Sequence, residues 1–267
     1  MLVDLHTHSK YSFDAQDEIL DLTLSAIKKG FSYIAITDHK DYFWNKEPIA
    51  LDIENVQNDI DKIRKEFSDK ITVLKGIEIG EIYADKNALE LTKNYNFDMV
   101  IGSLHSMPND IDFYDMDYTK LDSDKLLKEY LLEVKKMCEY GGFDVLAHID
   151  YPLRKMEKAN IKPSFENYME FITPVLKTTI DREIALEINA AGLFSFLNNV
   201  GPESFVLEEY KRLGGKMISI GSDAHYAKDI GRGIKECINH AINNGFEYVT
   251  IFENRKPNQI YIGKEKI

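Results

Sequence analysis

The feature that most restricts how this chain can fold is a rhythm: short apolar runs alternate with amphipathic stretches from end to end. The runs are MLVDLH, SYIAITDH, ITVLKGIEIG, FDMVIGSLH, FDVLAHID, EIALEINAAG, KMISIGSDAH and YVTIF. Between them lie helical patterns at 17–29, 51–66, 86–94, 122–140, 164–180, 204–213 and 233–244. In the first of these, Ile19, Leu20, Thr23, Ala26 and Ile27 recur at helical spacing, and Gly30 suits the residue just past a helix end. Strands that alternate with helices form parallel sheets, buried on both faces by the crossovers. No Pro-, Gly- or Ser-rich linker and no fixed-period repeat interrupts the 267 residues. One α/β domain over 1–267 is therefore expected. Seven strand–helix units and a terminal strand suggest a single irregular barrel, with an open doubly wound sheet as the alternative.

The polar residues that close the runs carry the chemistry. The first run ends in His6 and His8, the second in Asp38 and His39, the third in Glu78, the fourth in His105 and the fifth in His148. The sixth carries Glu187 and Asn189, and the seventh runs into Asp223 and His225. Side chains two apart on a strand share a face, so His6 and His8 aim at one point, and Asp223 and His225 repeat that spacing. Six of the seven histidines close strands; only His240 lies inside a helical pattern and reads as an ordinary packing residue. In a parallel α/β barrel the strand ends converge on one rim, where active sites form. One histidine there is usually a satisfied polar group, whereas six together point to a metal centre. Imidazole and carboxylate suit zinc, iron or manganese, while calcium and magnesium prefer all-oxygen shells. Without cysteine at the rim, a closed structural zinc site is not expected. The donors exceed one ion's needs, so two to three divalent ions are expected; such clusters acidify water and neutralise charge in phosphoryl transfer.

Composition removes other classes. A net charge of −12 argues against a general nucleic-acid binder, though not against a nucleotide substrate. The two cysteines, Cys138 and Cys237, fall in separate helical patterns and read as small buried apolar residues rather than a disulfide framework. Asp4 interrupts any signal-peptide core and no apolar run reaches membrane-spanning length, so a soluble cytoplasmic protein is expected.

Taken together, DLHTHSKYSFDA, ITDH, GIEIG, IGSLH, LAHID and IGSDAH resemble the motif series of the polymerase-and-histidinol-phosphatase (PHP) superfamily, from His6 to about residue 235. Within it, length and motif order resemble the monofunctional L-histidinol-phosphate phosphatases. The resemblance implies a distorted (β/α)7, TIM-like barrel with a trinuclear metal site. It implies that His6, His8, Glu78 and Asp223 hold a first ion, and that Glu78 bridges to a second held by His105 and His148. Asp14, His39 and His225 would hold the third. Asp14 is matched through SFDA, with Asp17 the weaker choice because it also suits a helix N-cap. Asp38 should face away from the metals or orient a neighbour.

The implied reaction is hydrolysis of L-histidinol phosphate to L-histidinol and phosphate, a step of histidine biosynthesis, by in-line attack of a metal-bridging hydroxide. Catalysis then falls to Glu78, Asp223 and His225, the last two as candidates to protonate the leaving alkoxide. Arg154, in HIDYPLRK, matches a loop arginine that contacts the substrate phosphate, and its planar fork suits the task. Arg232, in DIGRG, is a second phosphate candidate. In one place the chain departs from the pattern: Phe194, in INAAGLFSF, stands where the family carries another phosphate-contacting arginine, which Arg182, Lys155 or Arg232 could replace.

Two segments could select the substrate. KDYFWNKEP offers Tyr42, Phe43 and Trp44 as a pocket wall, and SMPNDIDFYDMDYTK brings Asp110, Asp112, Asp115 and Asp117 near the rim to attract an ammonium group. No stable nucleic-acid or membrane partner is expected. The rival readings are a phosphoesterase of the same superfamily acting on a nucleotide, an oligonucleotide end or phosphotyrosine, a metal-dependent amidohydrolase, and a non-catalytic binding module. The amidohydrolase lacks its bridging lysine, because the third strand ends in Glu78.

Overall fold

Two parallel sheets grow from the apolar runs. Val3–Asp4 (β1) pairs with Tyr33–Ile36 (β2), and β2 pairs with Thr72–Lys75 (β3). The second sheet runs in chain order through Glu78–Gly80 (β4), Ile101–Ser103 (β5), Val145–Leu146 (β6), Ala185–Asn189 (β7) and Ile218–Gly221 (β8). The computed structural model describes residues 1–42, 47–108, 111–156, 159–195 and 197–263. Every residue of β4 to β8 is buried, as strands covered on both faces must be.

The crossovers are Ile19–Lys28 (α1), Ile53–Phe67 (α2), Lys86–Asn94 (α3), Ser123–Tyr140 (α4), Tyr151–Met156 (α5), Met169–Asp181 (α6), Ser204–Arg212 (α7) and Ile234–Asn243 (α8). Each of the long ones buries one stripe. In α2 that stripe is Ile53, Val56, Ile60, Ile63 and Phe67, each such side chain contributing roughly 1.5–3 kcal/mol. Carboxylates of Asp52, Asp85 and Asp122 accept the free backbone N–H groups that open α2, α3 and α4. Asp17 does not cap α1; Glu18 holds that position without a side-chain bond to the helix backbone, and Asp17 instead accepts the N–H of Ala227 at 2.6 Å. Cys138 and Cys237 are buried free thiols.

The third run, expected as one strand, is two. At Gly76 the backbone of Ile36 comes so close that a Cβ would lie 2.8 Å from its carbonyl oxygen, and Gly76 N–H donates to that oxygen at 2.9 Å. Beyond this contact the chain leaves β2 for β5, while Lys40 N–H still donates to Glu78 O at 2.8 Å and His39 bridges Glu78 in parallel. The run 72–80 therefore belongs to both sheets. At their other edges β1 lies along β8: Leu5 N–H donates to Ile220 O at 3.0 Å, and Thr7 bridges Ala224 in parallel.

Two elements escape the apolar pattern. The helix α5 takes up YPLRKM, which carries the arginine expected on a loop, with Pro152 tolerated in its first turn. The last run continues into a hairpin, Tyr248–Glu253 (β9) against Lys256–Tyr261 (β10), through Asn254 and Arg255 at φ 51° and 63°. That left-handed turn is held from outside. Asn254 N–H donates to Asp98 at 3.1 Å, and Arg255 pairs with Asp144 and donates to Gly142 O at 2.9 Å. Among the described residues no helix is long and apolar enough to cross a membrane.

Candidate metal centre and active site

At the carboxyl ends of the strands lies a cavity of about 420 Å³, walled by Asp14, His39, Glu78, His105, His148, Asp223 and His225, with Arg154 and Lys155 on one side. His6 and His8 follow β1 with their rings 5.1 Å apart, while Thr7 between them turns away to donate to Ala35 O at 2.7 Å. The alternation of extended chain produces this pair.

Glu78 is the hub. Its Oε2 lies 3.1 Å from His6 Nε2, 3.5 Å from His8 Nε2 and 3.1 Å from His39 Nδ1. Its Oε1 lies 3.1 Å from His148 Nε2 and 3.3 Å from His105 Nε2. Asp223 Oδ1 completes the first group, 3.5 Å from His8 Nε2 and 3.9 Å from His6 Nε2. Asp14 Oδ2 lies 3.0 Å from His225 Nε2 and 3.8 Å from His39 Nε2. Donor atoms about 2.1 Å from a tetrahedral ion stand ~3.4 Å from one another, close to these separations. His8 Nε2 and His39 Nδ1 are buried and make no hydrogen bond among the described residues, despite carboxylate oxygens nearby. Two buried ring nitrogens left without hydrogen bonds among so many donors fit a divalent cation.

Behind the donors, a second layer fixes the rings. His6 Nδ1 meets Glu187 Oε1 at 2.6 Å, His8 Nδ1 meets Ser12 Oγ at 3.2 Å, and His105 Nδ1 meets Asp41 Oδ2 at 2.9 Å. His225 Nδ1 lies 3.0 Å from Asp223 O. Each contact turns Nε2 toward the cavity, the usual arrangement of metal-binding imidazoles. Asp38 orients a neighbour, accepting from Ser9 N–H and from the hydroxyls of Ser9 and Ser12. Glu81, at φ 51°, receives the N–H groups of His105 and Ser106.

Burial opposes every charge here, yet the carboxylates and imidazoles answer each other. Burial would raise Glu78, but His6, His39 and His105 hold it well below the usual carboxylate range. Asp223 is likewise held low, against burial, chiefly by His6. His39, lowered by burial but drawn up by Glu78 and Asp41, reaches about 9. Burial, reinforced by His225 and His39, pushes His8 down to about 3, leaving it a neutral donor at neutral pH.

The structure thus brings His6, His8, Asp14, His39, Glu78, His105, His148, Asp223 and His225 together. Arg154 is buried rather than solvated: its Nη2 donates to Asn189 Oδ1 at 3.1 Å, and its Nη1 lies 3.5 Å from Asp223 Oδ2. Arg232 does not line the cavity; its guanidinium stacks 3.5 Å from the Phe194 ring and lies 3.8 Å from Asp229. Arg182 is exposed at the end of α6, at the opposite mouth of the strands. Of the three cations considered in place of an arginine at 194, only Lys155 reaches the cavity, over the Tyr114 ring at 4.1 Å. Asp112 lines the cavity too, whereas Asp115 and Asp117 are exposed, Asp117 pairing with Lys120 at 2.7 Å. Tyr42 is buried away from the cavity; Phe43, Trp44 and Asp110 lie outside the described residues.

Asp41, Glu187 and Asn189 have structural roles that the sequence reading did not assign. Asp41 had a signal, since it follows His39 at the same two-residue spacing as His8 follows His6. Phe13, Tyr114, Tyr151 and Ser195 also line the cavity.

Comparison with known proteins agrees with this geometry. "Probable histidinol-phosphatase" of Thermotoga maritima is 32% identical over 259 residues, covering 94% of this chain and 95% of its own. Histidinol-phosphatase of Lactococcus lactis is 28% identical over 258 residues, covering 95% of each. A crystal structure of histidinol phosphate phosphatase from Lactococcus lactis, complexed with zinc, L-histidinol and phosphate, superposes with a TM-score of 0.84 at 26% identity, over 96% of this chain and 98% of that one. The PHP domain model matches residues 4–191, a span that contains His6, His8, Asp14, His39, Glu78, His105 and His148. By that match, and by relatives that share its length, the chain belongs to the PHP domain family.

Proposed function

We propose that this protein is a metal-dependent phosphoric monoester hydrolase that converts L-histidinol phosphate and water to L-histidinol and phosphate. One observation carries the reading: a buried guanidinium, Arg154, shares a cavity with three groups of imidazole and carboxylate donors arranged around Glu78 and Asp14. The relatives named histidinol-phosphatase and the solved structure holding zinc, histidinol and phosphate support the substrate.

Three divalent ions, zinc, iron or manganese, are the finer reading. His6, His8, Glu78 and Asp223 would hold one, Glu78, His105 and His148 a second, and Asp14, His39 and His225 a third. When bound, such ions acidify water and neutralise the non-bridging phosphoryl oxygens. Arg154 offers its fork to the same oxygens. Of the two proton-donor candidates, Asp223 is held anionic, chiefly by His6 against burial. His225 is lowered by burial but raised on balance by Asp14 and Asp223 together, so its Nε2 can carry a proton wherever Asp14 and His39 do not share an ion with it. Asp112 at the cavity wall would favour a cationic substrate.

The whole of 1–267 acts as one such unit, its strands the staves of a distorted (β/α)7 barrel. The contacts of β1 with β8, and of His39 with Glu78 between the two sheets, support closure. We place the enzyme in the cytoplasm, acting on a small phosphate ester without a nucleic-acid or membrane partner.

Phosphate release from metal-loaded protein tests the reading. Histidinol phosphate should exceed p-nitrophenyl phosphate, nucleotides and phosphotyrosine by more than about tenfold in kcat/KM, roughly 1.4 kcal/mol. A smaller preference, or a preference for another ester, would overturn the assignment.

A further inference from the structure

Asn189, the last residue of β7, is fully buried, and its side chain uses its whole hydrogen-bonding capacity. Nδ2 donates to Glu187 Oε2 at 3.0 Å and to Asp223 Oδ2 at 3.4 Å. Oδ1 accepts from Arg154 Nη2 at 3.1 Å and from Ala191 N–H at 2.9 Å. A primary amide has two donor hydrogens and two acceptor lone pairs, so none is left over. Chemistry also fixes its orientation. Flipping the amide would set its NH2 against a guanidinium and an N–H, and its oxygen against two carboxylates.

The partners belong to both halves of the site. Glu187 meets His6 Nδ1 at 2.6 Å and accepts His148 N–H at 2.9 Å, and Asp223 faces His6 and His8. On the other side stands Arg154, whose shortest hydrogen bond among the described residues is the one to Asn189. Asp223 and Asp150 lie farther off, at 3.5 and 3.7 Å. Arg154 lines the cavity, and its Nε is buried and makes no hydrogen bond among the described residues. The backbone of Asn189 is pinned as well, its N–H donating to Gly201 O at 2.7 Å and its O accepting Gly201 N–H at 3.1 Å.

We infer that Asn189 is a positioning residue that ties the place of Arg154 to Asp223, which would hold a metal, and to Glu187, which buttresses His6, so that the guanidinium fork is aimed before phosphate arrives. This rests on the phosphatase reading above. An arginine without such a tether would have to be ordered by the ligand itself, at a cost to binding. The neutral amide suits the place because an acid there would add charge beside Glu187 and Asp223, and an alkyl group would leave buried polar groups without partners.

The test compares metal-loaded wild type with Asn189→Leu, Arg154→Met and the double variant. The readouts are p-nitrophenyl phosphate hydrolysis, inhibition by inorganic phosphate, and metal per chain. We expect Asn189→Leu to raise both KM and the inhibition constant of phosphate about tenfold, with metal content within twofold of wild type. Adding it to Arg154→Met should then raise neither constant by more than about twofold. Multiplying losses in the double variant, or an unchanged phosphate constant in Asn189→Leu, would overturn the inference. A merely structural role would instead lower metal content and kcat together. If Asn189→Leu fails to fold by circular dichroism, Asn189→Ser is read by the same constants. Should wild type release no phosphate, the phosphatase reading fails, and calorimetric binding of inorganic phosphate to the same variants still decides the role of Asn189.

Discussion

His6 and Glu187 are separated by 181 residues of chain and by 2.6 Å in space, Nδ1 to Oε1, with both side chains buried. The contact fixes which imidazole nitrogen faces Glu78. Removing the charge while keeping the shape, as in Glu187→Gln, should weaken metal binding by 10–100-fold and lower turnover accordingly. Metal titration by competition with a chelator measures it; unchanged affinity would show that ring orientation needs no carboxylate.

Glu78→Gln probes the hub. Both carboxylate oxygens face imidazole nitrogens at 3.1–3.5 Å, and a carboxamide can present only one oxygen to them. The variant should lose at least one ion per chain by elemental analysis and lower kcat by 10²-fold or more, about 2.7 kcal/mol. Full metal content with full activity would refute a bridging role.

Packing at the seam between β1 and β8 gives a third prediction. A Cβ on Gly221 would lie 2.3 Å from His6 Cβ and 2.8 Å from Glu187 Oε1. Gly221→Ala must therefore push His6 off its buttress, at a cost of about 1–3 kcal/mol. Thermal melts of the metal-free protein should show that loss, and metal affinity should fall with it. A melt equal to wild type would mean that the seam is looser than its contacts suggest.

The sequence exposes the strand ends because an apolar run must stop where its chain leaves the buried sheet, so His105, His148 and Glu78 are visible as run-closing residues. It exposes His6 with His8 because extended chain repeats every two residues. What it hides depends on contacts across the fold. Nothing near residue 6 announces Glu187, and the motif that points to Arg154 as a phosphate contact does not show that it sits on a short helix. The hairpin turn at Asn254 and Arg255 has no glycine to mark it; Asp98 and Asp144, far earlier in the chain, stabilise its left-handed backbone instead. Arg232 illustrates the converse, since a well-placed motif position ends up stacked on Phe194.

Metal removal should reverse the pH dependence of stability. In the metal-free protein His39 keeps its proton up to about 9, because Glu78 and Asp41 outweigh its burial. A histidine whose folded-state value lies above its unfolded value of about 6.5 stabilises the fold fully below 6.5. That contribution is lost as pH rises through 9, and His6 and His105, raised for the same reason, act in the same direction. His8 opposes them only as pH falls below 6.5, because burial holds it neutral. Between pH 6.5 and 9 the chelator-treated protein should therefore melt at progressively lower temperature. Metal must displace these protons, so its affinity should climb by up to about tenfold per pH unit for each proton released, and the loaded protein should hold or gain stability over the same window. Parallel melting curves for the two forms across that range would mean that the imidazoles are neutral before metal arrives, and the electrostatic account of the cluster would fail.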